Sequence, residues 1–377
     1  MDLNFNSMQD MLRKSVAEFL AKECPYERVK ELEESENGYD PKQWKKIVEL
    51  GWPGLPFPEE YGGFDGEFMD LVIIQEEMGK RVYPSPFFAT VVLCGTAIME
   101  GGTEAQKKEL IPQIADGELL LALAQHENDP GYTEKSIKMT AEAQGDSFVL
   151  NGTKLFVLDA NIADKLIVAA KSSDADVTLF LVDAKDPGLT ISKIPTIAMD
   201  NTCEVIFKDV KVPKDNILGE IGQGYETLKK VTAKAAIAKS AEMIGGCQVC
   251  IDMTAGYAKE RVQYGKPIGG FQAIQHYMAN MSIAYDTIYN YLYRVAWMVD
   301  AGEDATLSAS VLKAKTNENF KFIADRAVQI HGGIGTTREY DVSLFFRKAK
   351  AWEFMSGDTD YHTDQVVDRI LTAMPEW

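Results

Sequence analysis

The sequence has few of the side chains that build metal sites and disulfide frameworks. Its 377 residues include five cysteines, at positions 24, 94, 203, 247 and 250, and four scattered histidines. Cys247 and Cys250 form a C-x-x-C pair, but no second pair or neighbouring histidine completes a zinc site, and on a helix this spacing is typical of buried packing. The sequence therefore predicts reduced thiols, no metal and a cytoplasmic location.

Positive charge and long apolar runs are also scarce. Lys and Arg number 39 against 57 Asp and Glu, and the net charge of −18 argues against a nucleic-acid partner, because phosphate contacts need a basic face. A few local basic side chains still suffice for an anionic cofactor. No apolar stretch is long enough to span a bilayer, and the N-terminal residues lack the basic start and apolar core of a signal peptide.

The remaining composition is that of an ordinary globular protein, with 46% hydrophobic residues, and the length predicts two or three domains. Periodicity indicates an α+β multidomain fold. Residues 1–119 have helical spacing, with Asp40–Pro41 and Thr103 as helix starts and a break near Pro112. Residues 120–222 alternate with a period of two, which predicts strands.

The middle part predicts a small β-barrel. The run AEAQGDSFVLNGTKLFVLDA, residues 141–160, has Gly-Asp and Asn-Gly pairs between alternating runs, a pattern typical of hairpins. Four more short runs, rich in β-branched residues and ended by Asp, Pro or Gly, follow it.

Long helical runs return in residues 223–377. They cover 224–262, 270–300, 304–331 and 339–355, and their short connections predict a four-helix bundle. Because no βαβ alternation occurs anywhere, a Rossmann domain is not expected.

Several motifs carry a resemblance to one family. YAKERVQYGKPIGGFQAIQH, residues 257–276, is similar to the E-R-x-x-F-G-x-x-I-x-x-F-Q signature of the acyl-CoA dehydrogenase family. AVQIHGGIGTTREYDVSLFFRKAK (327–350) resembles its second C-terminal signature, and LNGTKLFVLDANIADKLIVAA (150–170) resembles its β-domain segment. With LGWPGLPFPEEYGG near the N-terminus and the α–β–α order, the resemblance covers essentially the whole chain.

Two of these motifs suit a flavin dinucleotide. Arg261 offers a guanidinium fork for a pyrophosphate, and the glycines of QIHGGIG let backbone N–H groups approach an anion. Taken alone, each is better explained as a surface arginine or a helix end. The resemblance implies FAD contacts from one subunit and from its neighbour, so that the site depends on oligomerisation. The first set is Arg261, Gln263, Tyr264, Phe271 and Gln272, and the second is Gln329, Ile330, His331, Gly332 and Gly333.

The β segment departs from the family pattern. Many members have a flavin-facing Trp-x-Thr where this chain has Phe156 and Leu158. Phe156 can pack on the isoalloxazine ring, whereas Leu158 cannot donate the hydroxyl hydrogen bond expected near the flavin N5. His126 and Tyr132 similarly replace the Thr and Ser of T-E-P-x-x-G-S-D, and these changes predict altered flavin affinity or tuning.

The catalytic base is also displaced. The family's reaction removes a proton alpha to a thioester and a hydride from the beta carbon, so it needs a positioned base. The usual Glu falls on Ser356, with Asp358 at the Thr that follows two positions later, which makes Asp358 a further predicted cofactor contact. A second branch has a Glu–Arg pair where this chain has Ala235 and Ala236.

Three carboxylates remain as candidates for the base. A branch that acts on bulky or ring-bearing acyl-CoAs carries a Glu at the position of Glu242, which is therefore the predicted base. The alternative is a surface Glu paired with Lys239 at i−3. Asp358 and Asp360 are better explained as residues that begin and cap the last helix.

The resemblance implies a FAD-dependent acyl-CoA dehydrogenase that passes electrons to an electron-transfer flavoprotein, as a homo- or heterotetramer. Small residues near Glu242 suggest a bulky, cyclic or dicarboxylic acyl group. Two alternatives remain. One is a catalytically degenerate subunit of a heteromeric dehydrogenase, indicated by Ser356, Leu158 and Ala236; the other is a flavin oxidase or monooxygenase on the same scaffold.

Overall fold

A computed structural model describes residues 5–129, 131–173 and 176–373. The chain forms two compact units: Met1–Val29, Phe68–Tyr83 and Ala236–Trp377 make the first, and Lys30–Glu67 and Pro84–Ala235 make the second. The predicted fold class, helices followed by a β segment and then more helices, is confirmed. The domain boundaries at 119/120 and 222/223 stay a prediction.

Helices dominate the first unit. The described helices of the chain are α1 (Ser7–Glu23), α2 (Tyr26–Glu33), α3 (Pro41–Glu49), α4 (Phe68–Arg81), α5 (Thr96–Gly101), α6 (Glu104–Ala115), α7 (Gly224–Glu260), α8 (Gln272–Asp300), α9 (Thr306–His331), α10 (Val342–Glu353) and α11 (Thr359–Ala373). In the first unit, α9 packs against α8, α10 and α11, while α4 packs against α1 and α8. The helices predicted at 224–262, 270–300, 304–331 and 339–355 are therefore confirmed.

Helix ends follow the capping residues. The Asp40 side chain accepts the N–H of Lys42 ahead of α3, and Thr103 forms a capping box with Gln106 ahead of α6, so both predicted starts are confirmed. The predicted break near Pro112 is wrong, because α6 continues to Ala115. Proline lacks an N–H but keeps its carbonyl, which here accepts the N–H of Asp116 at 2.9 Å.

Seven strands form one sheet in the second unit. They are β1 (Leu121–Ala124), β2 (Thr140–Gln144), β3 (Ser147–Leu158), β4 (Lys165–Lys171), β5 (Val177–Asp183), β6 (Leu189–Lys193) and β7 (Thr202–Pro213). The sheet order is β1-β4-β2-β3-β7-β6, and β5 pairs with β4. Alternate side chains from all seven strands meet in one apolar core that includes Phe148, Phe180 and Phe207.

One predicted turn is wrong. The β2–β3 hairpin turns at Gly145–Asp146 as expected, but Asn151–Gly152 lies inside β3. There the register against β7 shifts, and the Asn151 side chain accepts the N–H of Asp209 at 2.8 Å. The Asn-Gly pair therefore forms a β-bulge in a long strand, a second use of a residue that tolerates unusual backbone angles.

Cys247 and Cys250 are fully buried in α7, as the packing interpretation predicts, and burial raises the pKa of both thiols. Among the residues that the structure describes, no helix combines the length and apolar character needed to cross a membrane. The same residues contain no cluster of three or more His, Cys, Asp or Glu that could hold a metal ion.

Candidate functional site

Phe156, in β3 of the second unit, is the predicted flavin-facing residue. Its ring is 55% exposed, and its φ of 54° lies in the left-handed region that non-glycine residues rarely adopt. The backbone N–H of the preceding residue, Leu155, donates to the carbonyl oxygen of His126 at 2.9 Å. Leu158 is half-buried at the end of the strand. An exposed ring held in a costly backbone conformation is a candidate ligand contact.

His126 is held beside this strand as a neutral imidazole. Its ring packs edge-on against Tyr132, with centroids 5.1 Å apart. Burial and the nearby Lys154 ammonium lower the pKa of His126 to about 4. Lys154 in turn donates to Glu127 at 2.7 Å, and burial lowers the pKa of Lys154 to about 8. At neutral pH, His126 can therefore donate or accept one hydrogen bond without carrying charge.

The predicted pyrophosphate contacts lie together in the first unit. Arg261 directly follows α7 and precedes a short hairpin of β8 (Val262–Gln263) and β9 (Lys266–Pro267). The hairpin turns at Tyr264–Gly265, both with positive φ, and Tyr264 is 94% exposed. The ring of Tyr264 meets that of Phe271 edge-on at 6.2 Å, just before Gln272 starts α8. Arg261, Gln263 and Gln272 are exposed.

The glycine motif at the end of α9 divides into exposed and buried residues. Gln329, Gly332 and Gly333 are exposed, but Ile330 and His331 are buried, so their side chains belong to the interior of this unit. His331 stacks on Tyr257 with centroids 4.4 Å apart, and its Nδ1 lies 2.7 Å from the carbonyl of Ala327. Burial lowers the pKa of His331.

Glu242 lies in the interior of the first unit, on α7. Its side chain and that of Lys239, one helical turn earlier, form a salt bridge, and both residues are buried, at 8% and 3% exposure. The pairing at i−3 is confirmed, but the surface location that accompanied it as an alternative is wrong. The stretch of α7 that precedes it is rich in small, fully buried residues: Ala235, Ala236, Ala238 and Ala241.

A buried lysine donates hydrogen bonds to the turn that carries Ser356. Lys313, on α9, is fully buried, and its Nζ lies 3.2, 3.0 and 3.1 Å from the carbonyl oxygens of Trp352, Glu353 and Gly357. Burial and the Lys239 ammonium lower the pKa of Lys313 well below its ordinary value.

A histidine of α11 also donates a hydrogen bond to this turn. His362 Nε2 donates to the Ser356 carbonyl at 2.9 Å, and its Nδ1 lies 3.2 Å from Ser310 Oγ. Ser356 is buried with a φ of 59°, and Gly357 has a φ of 100°. The position of the usual base therefore belongs to a strained and rigidly supported turn.

Glu242 is linked to this turn through Trp352. The ammonium of Lys239 lies 5.0 Å from the centre of the Trp352 ring, and the Trp352 carbonyl accepts a hydrogen bond from Lys313. The predicted base and the position it would replace thus belong to one buried cluster of charged, aromatic and small side chains.

The other two carboxylates have different surroundings. Asp358 Oδ1 accepts the backbone N–H of Tyr361 at 2.8 Å, which is the capping bond of α11, and Asp360 is exposed in the first turn of that helix. The predicted capping role of Asp358 is confirmed.

Three residues of this cluster were not found from the sequence: Lys313, Trp352 and His362. A signal existed for Lys313, because it lies in register with Ala309, Phe320 and other apolar residues that face the interior from α9. Gly357 lies 44 residues from Lys313, and Ser310 lies 52 residues from His362, so no local pattern indicates these two contacts.

Comparison with known proteins identifies the same three segments. Domain models described as acyl-CoA dehydrogenase N-terminal, middle and C-terminal domains match residues 6–118, 122–210 and 222–371.

Curated relatives and solved structures match over nearly the full length. The acryloyl-CoA reductase (NADH) of Anaerotignum propionicum is 32% identical over 381 residues, with 98% of this chain and 96% of that protein covered. The caffeyl-CoA reductase–Etf complex subunit CarC of Acetobacterium woodii is 32% identical over 383 residues, with 98% of this chain and 98% of that protein covered. The structure of butyryl-CoA dehydrogenase from Megasphaera elsdenii superposes with a TM-score of 0.91 at 28% identity, covering 98% of this chain and 100% of that one.

Proposed function

The chain belongs to the acyl-CoA dehydrogenase family, and we propose that it is a FAD-dependent dehydrogenase of acyl-CoA thioesters with Glu242 as its base. Membership makes it an oxidoreductase acting on CH–CH bonds. The observation that supports the assignment of the base is the burial of Glu242 in the same cluster as Ser356, which stands where many members have the catalytic glutamate.

Glu242 would take the proton from the carbon alpha to the thioester carbonyl. A serine at position 356 cannot do this at neutral pH without a partner base, whereas a carboxylate can. The small side chains at 235, 236, 238 and 241 keep bulk away from the α7 backbone around Glu242. Such a displaced base supports an acyl group that is bulky, cyclic or dicarboxylic.

FAD is the cofactor of typical family members, and several residues here fit it. When bound, FAD would accept the hydride that leaves the beta carbon. Phe156 presents an exposed ring on which the isoalloxazine can pack, and the neutral His126 beside it offers a hydrogen bond in place of the missing threonine hydroxyls. Leu158 adds only apolar contact.

The pyrophosphate would bind to the exposed residues around the β8–β9 hairpin. Arg261 and Lys266 supply positive charge, and α8 begins at Gln272 without a side-chain cap, so its first turn presents backbone N–H groups to an anion. From the glycine motif, Gln329, Gly332 and Gly333 would contribute side-chain and backbone contacts. For Ile330 and His331 the proposal is reduced to their backbones, because both side chains are buried.

Electrons would pass to an electron-transfer flavoprotein, and the name of one relative, a subunit of an Etf complex, supports this partner. Tetramers are typical of this family, and a homo- or heterotetramer is proposed for this chain.

A second candidate is the same chemistry run in the opposite direction. The names of two relatives contain acryloyl-CoA reductase and caffeyl-CoA reductase. By microscopic reversibility, Glu242 would then return the proton to the alpha carbon.

Turnover on a panel of straight-chain, ring-bearing and dicarboxylic acyl-CoAs tests the proposal, with product thioesters identified by mass. We expect loss of two hydrogens from the acyl group when an electron acceptor is present, with ring-bearing or dicarboxylic substrates preferred. A large preference for straight chains would contradict the substrate class. A colourless purified chain would contradict the assignment of FAD to this chain and favour a degenerate subunit, and turnover with oxygen alone would favour an oxidase.

A further inference from the structure

We infer that Lys239 is a positioning residue for the proposed base, with an ammonium group that holds the Glu242 side chain as a carboxylate in the interior of the first unit. This inference rests on the proposed function. It starts from a salt bridge that is buried on both sides, with Lys239 at 3% exposure and Glu242 at 8%.

Burial makes this pair different from a salt bridge on a helix surface. An exposed pair at i,i+3 contributes little, because water solvates both charges equally well when they are apart. Inside a protein, a carboxylate without a partner takes up a proton at a pH well above its ordinary range, and a protonated carboxyl group cannot act as a base. Loss of the Lys239 charge would therefore leave the buried Glu242 side chain without the ammonium group that it contacts.

Lys239 is itself fixed by its neighbours. Its ammonium lies 5.0 Å from the centre of the Trp352 ring, on the face where the aromatic π-system attracts cations. Trp352 is 3% exposed, and its carbonyl accepts a hydrogen bond from Lys313. Because the Lys239 side chain is held between Trp352 and Glu242, the carboxylate gains an orientation as well as a charge partner.

Other titratable groups lie on the elements of the first unit. On α4, the Glu76 and Glu77 carboxylates bind Arg13 and Lys80, at distances of 2.6 to 3.2 Å for the closest contacts. The remaining buried or half-buried titratable and charged side chains on the neighbouring elements include Tyr285 and Tyr293 on α8, Lys313 on α9, Arg347, Lys348 and Glu353 on α10, and Asp358 and His362 around the start of α11.

Lys313 is the neighbour that bears most directly on Lys239. Burial and the Lys239 charge both lower the pKa of Lys313, so a second ammonium group is disfavoured in this interior. The carboxylate of Glu242, in a salt bridge with Lys239, offsets that repulsion.

The pH profile of kcat/KM for Lys239→Met tests the inference. We expect the acid limb of the profile to move upward by at least about one pH unit, which is roughly a tenfold loss of kcat/KM at pH values below the wild-type limb, and the loss should be regained in more alkaline buffer. Lys239→Arg keeps the charge and should restore the wild-type limb. The matched control is Lys229→Met, which removes the lysine of an exposed i,i+3 pair with Glu226 on the same helix and should leave the limb unchanged.

A stability measurement gives a readout that does not depend on catalysis. In Lys239→Met the buried carboxyl of Glu242 should favour its protonated form in the folded state, so this variant should lose stability relative to wild type as pH rises from 5 to 8. The double variant Lys239→Met/Glu242→Gln has no carboxylate to bury and should not show this extra loss. Urea unfolding at both pH values measures it.

The outcomes separate this inference from the proposed function. If Glu242→Gln is inactive but Lys239→Met keeps the wild-type acid limb and the wild-type pH dependence of stability, the role of Lys239 is wrong and the base assignment stands. If Lys239→Met loses activity equally at every pH, Lys239 is structural only. If Glu242→Gln retains activity, Glu242 is not the base, and the inference about Lys239 fails with it.

Discussion

At the scale of single residues, substitutions that remove one function are placed where another residue can supply it. Ser356 stands where a carboxylate is expected, and a buried carboxylate, Glu242, belongs to the same cluster. Leu158 lacks the expected hydroxyl, and His126, whose burial lowers its imidazole pKa to about 4, accepts at its carbonyl oxygen the backbone N–H of Leu155, the residue before Phe156. On the proposed function, these exchanges would keep the required chemical groups and change which elements present them.

Phe156→Leu should weaken flavin binding without destabilising the chain. The ring is 55% exposed, so its removal costs little in the fold, whereas a lost aromatic stacking contact amounts to about 1 kcal/mol, or roughly a five- to tenfold rise in Kd. Fluorescence titration of apoprotein with FAD measures the Kd. Ile206→Ala, at a partly exposed position in β7 of the same unit, is the control; an equal loss of affinity there would contradict a specific role for Phe156.

His362 should make stability depend on pH below neutrality. Burial lowers its pKa to about 4 in the folded chain, from an ordinary value near 6.5, so as pH falls through this window the unfolded chain binds a proton that the folded chain does not. Stability is thus lost between about pH 6.5 and 4, by up to about 3 kcal/mol from this residue. His362→Gln retains a donor for the Ser356 carbonyl and should lose less stability over this window. Urea unfolding of wild type and His362→Gln at pH 7 and 4.5 measures the loss. An equal loss of unfolding free energy in both proteins would contradict this role of His362.

At the scale of elements, the position of Glu242 depends on how closely α7 approaches α4. A Cβ built at Gly79 would lie 1.9 Å from the carbonyl oxygen of Glu242, and one at Gly245 would lie 2.0 Å from the carbonyl oxygen of Glu76. The two helices therefore touch through their backbones, which only glycine permits. This contact fixes the depth of the helix that carries the proposed base.

Gly79→Ala should both destabilise the chain and reduce turnover. The clash is with a backbone atom that cannot rotate away, so the helices must separate, at a cost of about 2–3 kcal/mol. Gly256→Ala is the matched control, because a Cβ there meets no atom within 4 Å and alanine favours the helix by about 0.5–1 kcal/mol. Thermal unfolding and kcat of both variants provide the comparison. A Gly79→Ala protein with unchanged stability would show that the helices are less tightly packed than described.

The helix starts and the β3 bulge show which features of the fold can be predicted from the sequence. Asp40 and Thr103 mark helix starts correctly, because a cap is a contact between residues two or three positions apart. Asn151–Gly152 is misread as a turn, because the bulge it forms is set by pairing with Asp209, 58 residues later. The i,i+3 spacing of Lys239 and Glu242 identifies a pair but not its depth, which α4 and α10 determine.

At the scale of the whole molecule, the order of helical, β and helical segments could be predicted because each has its own hydrophobic period, and the three domain models of the acyl-CoA dehydrogenase family match in that order. The cluster around Glu242 could not be predicted in full. Lys313 reaches the Gly357 carbonyl from 44 residues earlier, and His362 contacts Ser310 across 52 residues, and such long-range contacts leave no local pattern.

We propose an active flavoprotein in which Glu242 serves as the base. The most direct measurement is an anaerobic titration of the chain, purified alone with its bound flavin, with ring-bearing and straight-chain acyl-CoAs, followed by the visible flavin absorbance. The account predicts that wild type and Asp358→Asn bleach, while Glu242→Gln retains its flavin but bleaches about a hundred to ten thousand times more slowly. Bleaching of Glu242→Gln at the wild-type rate, or its loss in Asp358→Asn instead, would contradict it.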